Sequence, residues 1–146
     1  GLSSVHTAAH DGSTPLAALC GTADGVICDA PCSGLGVLGK KADLRYRAGT
    51  RFAELPPLQE KILSSAATYV RQGGELLYAT CTIHRAENEE VAARFLAAHP
   101  DFAAADFAVG GLRSAGGMLQ LLPPTHGTDG FFLAKFTRRR DEKESI

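Results

Sequence analysis

Two cysteines stand where a nucleophile would be used: Cys32 in Asp29-Ala30-Pro31-Cys32-Ser33-Gly34, and Cys81 in Ala79-Thr80-Cys81-Thr82. Each follows a short apolar run, residues 25–28 and 75–78, that reads as a buried strand. In an open α/β sheet, the C-terminal edge of the strands is where ligands bind. A thiolate is the side-chain nucleophile best suited to covalent addition, and its reactivity follows its pKa. Two thiols and the Asp29 carboxylate on one edge therefore point to covalent catalysis assisted by an acid or base. The bland alternative treats cysteine as a small hydrophobe. That reading suits Cys20 and Cys28, the second of which lies inside the apolar strand. It suits Cys32 and Cys81 less, because both fall in turns flanked by Pro or Thr.

Other chemistries are weaker. Cys28 and Cys32 have a spacing zinc accepts, and His84 lies near Cys81, but no matching Cys/His pair follows. Gly34-Leu35-Gly36-Val37-Leu38-Gly39 satisfies the dinucleotide fingerprint, with Glu54 about 20 residues on. The amphipathic helix that should follow is replaced by Lys40-Lys41-Ala42-Asp43-Leu44-Arg45-Tyr46-Arg47, and Pro31-Cys32 intervenes before the glycines. A nicotinamide-dinucleotide site is thus a minor alternative. The basic stretch has its own reading: Lys40, Lys41, Arg45 and Arg47 suit phosphates, and Tyr46 can stack on an unpaired RNA base. A solvated loop carries similar charges.

The elements that must position these groups follow from periodicity and breakers. Residues 3–9 read as a first strand, 16–20 as a short helix, and 25–28 as a parallel strand covered on both faces. Residues 33–50 read as a long functional loop. Leu58, Ile62, Leu63, Ala66, Ala67 and Val70 recur at helical spacing, so 57–71 is a helix opened by prolines and stopped by Gly73-Gly74. A strand over 75–79 and a helix over 87–98 come next, the helix with Glu87, Glu89 and Glu90 at its positive end. Residues 118–122 and 131–136 read as an antiparallel pair. The fold class is an α/β sandwich, mostly parallel with an antiparallel edge.

The bulk numbers agree. A chain of 146 residues, 45% hydrophobic and 21% charged, is ordinary for one globular domain. A net charge of −1 excludes a polycation that grips nucleic acid everywhere. Apolar runs fall short of the roughly 20 residues that span a bilayer, and the opening residues, with His6, His10 and Asp11, do not read as a signal peptide. Four cysteines without secretory features suit free thiols in a reducing, cytoplasmic compartment. The opening Gly1-Leu2-Ser3, without Met, suggests a start partway through a larger protein.

The motifs together resemble a known family. Asp29-Ala30-Pro31-Cys32-Ser33-Gly34-Leu35-Gly36-Val37, then Asp43-Leu44-Arg45, Leu58-Gln59, Gly73-Gly74, Tyr78-Ala79-Thr80-Cys81-Thr82 and Glu87-Asn88-Glu89 follow the order of the Sun/Fmu family. The ending His126-Gly127-Thr128-Asp129-Gly130-Phe131-Phe132 with Ala134-Lys135 is similar too. These are S-adenosylmethionine-dependent RNA cytosine-C5 methyltransferases, above all the bacterial 16S ribosomal RNA enzymes. The resemblance implies that Cys81 adds to carbon-6 of the target cytosine and that Cys32 helps release the product. It implies that Asp29 meets the cytosine ring and cofactor region, and that Asp11, ending a third strand, binds the adenosine part.

The same resemblance implies a Rossmann-like class I methyltransferase sheet with a C-terminal antiparallel hairpin, lacking its first two strands. The cofactor-cradling Gly-rich loop, a second acidic residue and an RNA-binding domain are expected before Gly1. Residues 1–137 would then be the C-terminal part of a catalytic domain and 138–146 a charged, disordered tail. Such a piece alone is expected to bind cofactor weakly and to be inactive. Its open strand edge suggests pairing with a second copy. A non-catalytic RNA-binding remnant is the rival reading.

Overall fold

A computed structural model describes residues 3–40 and 52–140. Lys41, Arg45 and Arg47, expected to meet RNA, lie outside the described residues. The chain forms a five-stranded sheet with helices on one face, plus a small two-stranded hairpin.

Strand β1 (Ala23–Asp29) pairs in parallel with β2 (Val70–Thr80), matching Cys28 to Tyr78 and Asp29 to Ala79. Helix α1 (Leu55–Tyr69) crosses between them. Two prolines at its start need no hydrogen bond there, and Leu63, Ala66 and Ala67 fall one turn apart on the buried side. Gly73-Gly74 do not separate helix from strand as the sequence suggested. β2 starts directly at Val70, and the glycines form a bulge within it, where the register against β1 shifts between Ala23 and Gly25. A Cβ on Gly74 would lie 2.9 Å from the Asp24 carbonyl oxygen, so only glycine fits the crossing.

Helix α2 (Glu89–Ala98) places Val91, Ala92 and Phe95 against the sheet. The Phe95 ring lies 4.8 Å from that of Phe136 and 5.4 Å from that of Phe102. The chain then turns into the short strand β3 (Phe102–Ala104), which the sequence did not signal. Next come β4 (Ala108–Val109) and β5 (Leu112–Arg113), paired as the separate hairpin, then β6 (Met118–Leu121). A four-residue helix α3 (Pro123–His126) precedes the last strand β7 (Phe131–Arg138).

β7 organises the sheet. It lies antiparallel to β2 on one side, and to β6 and β3 at its two ends on the other. The expected terminal hairpin is the β6–β7 pair. Among the described residues the parallel character rests on β1–β2 alone. On β7, Phe132, Ala134 and Phe136 alternate inward and join Leu76 and Tyr78 of β2 under both helices. Burying each of these large side chains contributes about 1.5–3 kcal/mol.

Several expectations need correction. Residues 3–9 form no strand and are exposed, having no described partner strand to share their backbone hydrogen bonds. Residues 16–20 hold only the 3-10 turn Ala17–Leu19, and Cys20 is exposed rather than packed. β1 is covered on one face only: Cys28 is buried, whereas Ile27 is 74% exposed, because both helices lie on the other side. At the C-terminus, Arg138 belongs to β7 and donates to the Val70 carbonyl at 2.7 Å rather than starting a tail.

Candidate active site

The parallel register brings the ends of β1 and β2 level, so the segments leaving them share one edge. The Ala30 amide extends the ladder by donating to the Ala79 carbonyl at 3.1 Å. Pro31 then turns the chain, and Cys32 meets Cys81 with the two Sγ atoms 3.2 Å apart. Both cysteines are half-buried and free. Asp29 stands exposed at the end of β1, three residues before Cys32.

Burial, then the hydrogen bond with the Cys81 sulfur, pushes the Cys32 thiol up to about 12, outweighing the Gly34 and Cys81 amides. At neutral pH Cys32 keeps its proton, and either sulfur of the pair can donate to the other. A protonated thiol is a poor nucleophile but a competent proton donor. Cys28, pushed up to about 12 by burial and then by the Asp29 charge, is an inert core thiol, as its place in the strand suggested.

The glycine run after Cys32 does not cradle phosphate on a helix; it continues as turns. The Gly36 amide donates to the Cys81 carbonyl at 3.0 Å, and the Gly36 carbonyl accepts from the Gly130 amide at 2.8 Å. A Cβ at Gly36 would collide with the Gly130 carbonyl, so the glycines serve a close backbone crossing. That crossing ties the Cys32 loop, the Cys81 turn and the start of β7 into one block. Lys40, at the end of the run, pairs with Asp129 at 2.7 Å while remaining largely in solvent. Phe52 stacks on His84, with centroids 6.0 Å apart, returning the chain to the Cys81 turn.

Beneath the thiols lies a polar layer that sequence reasoning did not assign to the site. Gln59, Thr80, Thr82, Glu87 and Asn88 are all fully buried. The Ser33 and Thr82 hydroxyls, each one residue past a cysteine, hydrogen-bond at 2.8 Å. Glu87 Oε2 accepts from the Ser33 amide at 2.9 Å and from Gln59 Nε2 at 2.9 Å. Asn88 accepts from the Thr80 hydroxyl at 2.6 Å and donates to the Thr82 carbonyl at 3.0 Å. In sequence, Glu87 looks no different from the exposed Glu90 three residues on.

Asp11 is placed otherwise than the resemblance implied. It ends no strand; its Oδ1 accepts from the Ser13 amide at 2.9 Å and the Ser13 hydroxyl at 2.8 Å in an exposed turn. Those bonds, the backbone one first, hold its carboxyl below the usual range. An apolar hollow of about 460 Å³ lies elsewhere, over Ile27, Leu77, Leu133, Phe107 and Val109 on the face the helices leave open.

Comparison with known proteins bears on the same edge. The profile of the 16S rRNA methyltransferase RsmB/F family matches residues 1–137. The probable ribosomal RNA small subunit methyltransferase B of Synechocystis is 42% identical over 121 residues, covering 79% of this chain and 27% of that protein. Ribosomal RNA small subunit methyltransferase B of Sodalis glossinidius is 44% identical over 131 residues, covering 88% and 29%. Among solved structures, PH0851 superposes with a TM-score of 0.78 at 36% identity, covering 86% of this chain and 29% of that one. NSun6 from Pyrococcus horikoshii, solved with SFG, gives 0.64 at 27% identity, covering 79% and 30%. The chain thus spans less than a third of the length of the curated relatives it matches. The family profile and these relatives place the chain in the 16S rRNA methyltransferase RsmB/F family.

Proposed function

We propose that this chain carries the cysteine half of an RNA cytosine-C5 methyltransferase site acting on 16S ribosomal RNA. The observation that carries the reading is the pair of sulfurs 3.2 Å apart at the ends of two parallel strands. The names of the relatives supply the substrate class.

Carbon-5 of cytosine is a weak nucleophile and needs activation. The Cys81 sulfur adds to carbon-6 with Asp29 sharing a proton with ring N3, which makes carbon-5 enamine-like. The target base must leave its stack to be reached from both faces. After carbon-5 has gained the methyl group, a base removes the carbon-5 proton, the ring double bond re-forms, and the Cys81 sulfur departs. Cys32, holding its proton, donates to the departing sulfur. S-adenosylmethionine, when bound, supplies the electrophilic methyl; the neighbour solved with SFG, an analogue of that cofactor, supports its use.

The described residues fit one flank of that cofactor. Asp29 offers an exposed carboxylate beside the cysteine loop, suited to hydroxyl or amine donors, and Asp11 offers a second whose Oδ1 is already engaged. The isolated chain is expected to bind the cofactor weakly and not to turn over. Lys40, with Lys41, Arg45 and Arg47, meets RNA phosphates.

Variants in the full-length context test the roles. Cys81→Ala is expected to abolish any denaturation-resistant RNA adduct, whereas Cys32→Ala lets the adduct accumulate. The reverse pattern swaps the two cysteines.

A further inference from the structure

Glu87 and Asn88 stand where acidic and amide side chains usually cap a helix, at the start of α2. Yet the Asn88 side chain makes no capping bond to that helix. Both side chains, fully buried, turn instead toward the cysteine segments. Glu87 Oε2 takes the Ser33 amide, and Gln59 Nε2 bridges that carboxylate to the Pro31 carbonyl at 2.9 Å. The backbone groups on either side of Cys32 are thereby held by one carboxylate–amide unit. Asn88 does the same for Cys81: its Oδ1 takes the Thr80 hydroxyl, and its Nδ2 holds the Thr82 carbonyl. A second Nδ2 bond, 3.0 Å to Gln120 Oε1, anchors Asn88 to β6.

We propose that Glu87 and Asn88 are positioning residues that set the gap between the two sulfurs, Glu87 by clamping the Cys32 loop and Asn88 by clamping the Cys81 turn. Being adjacent immediately before α2, Glu87 ending a 3-10 turn and Asn88 at the helix N-cap, they fix two separate loops to a single origin. Buried bonds of this kind leave costly unpaired groups when one partner is lost, so the loops have one low-energy placement. The division of labour between the residues rests on the roles proposed above for the cysteines. The clamp itself does not.

Diamide oxidation reads the clamp without RNA or cofactor. In the chain carrying Cys20→Ser, diamide takes two electrons and two protons from Cys32 and Cys81, forming the disulfide and the reduced hydrazine. The closure rate reports how often the sulfurs meet. Glu87→Ala and Asn88→Ala remove the clamps outright. Gln59→Met and Thr80→Val remove bonds from the far end of each while keeping nearly the same volume, which protects the fold. Each folded variant is expected to close about tenfold more slowly, as a lost pre-organised encounter requires. Closure at the parent rate in folded Gln59→Met and Thr80→Val overturns the proposal.

In the full-length context, the Glu87-side variants are expected to form the RNA adduct normally and release it slowly. The Asn88-side variants are expected to form it slowly. A general loss of stability produces no such split, and the same defect on both sides overturns the division of labour. If the unaltered protein forms no adduct, the functional reading fails while the closure rates still decide the clamp.

Discussion

The central contrast at the scale of single residues is between three kinds of thiol on one chain. Cys20 sits in solvent, Cys28 is in the core, and Cys32 is half-buried against another sulfur. Only the last arrangement gives one cysteine a proton to lend and the other a partner to lend it to. Burial also has a measurable cost. Burial, and then the Asp29 charge, pushes the Cys28 thiol up from the ordinary 9.0 to about 12, so the unfolded chain loses that proton first. The stabilisation is complete below about pH 9 and is lost as pH rises toward 12. Above pH 9, folding stability is expected to fall more steeply in the unaltered chain than in Cys28→Ala. The difference approaches about 1.4 kcal/mol per pH unit, measured by urea unfolding. Equal slopes would mean that the Cys28 thiol is not held neutral by the fold.

Backbone crossings do at the scale of elements what side chains cannot. Gly36 and Gly130 touch through their main chains, and through them the Cys32 loop is bonded to Cys81 and to β7. Gly36→Ala is expected to destabilise the chain by about 1–3 kcal/mol, the range for overpacking a filled site. The same change should slow diamide closure between Cys32 and Cys81, read by thiol titration. An unchanged closure rate would show that the loop is fixed by other bonds alone. This is also where the sequence was hardest to read. The pattern from Gly34 to Gly39 mimics a phosphate loop because both uses need backbone to approach closely, and the letters do not say whose backbone arrives. Apolar periodicity revealed α1 and α2, and short apolar runs revealed β1, β2, β6 and β7, because each has a surface that must be buried. β3, β4 and β5 are two or three residues long, too short to show a period. Cys32 and Cys81 were legible from their place after strands. Gln59 and Asn88 were not, since burial of a polar side chain depends on partners far away in sequence.

The whole molecule is lopsided: helices cover one face of the sheet, and the opposite face shows Ile27 to solvent. Residues 3–9, expected as a strand, are exposed and pair with no described strand. Ile27→Thr is therefore expected to change the unfolding free energy of this chain by less than about 0.5 kcal/mol. Leu76→Ala, one strand over and fully buried, is expected to cost about 2–5 kcal/mol. Similar losses for both would mean that the open face is covered in solution, for instance by a second copy. On the proposed function, calorimetry on the isolated chain is expected to show no micromolar binding of S-adenosylmethionine. A tight isotherm would contradict that reading.

RNA bearing 5-fluorocytidine at the target position offers the most direct measurement of the account, because fluorine replaces the hydrogen that must leave and freezes the adduct. Protease digestion and mass spectrometry of the frozen complex from the full-length protein should find the base on the peptide containing Cys81. Finding it on the peptide containing Cys32, or on neither, would contradict the account.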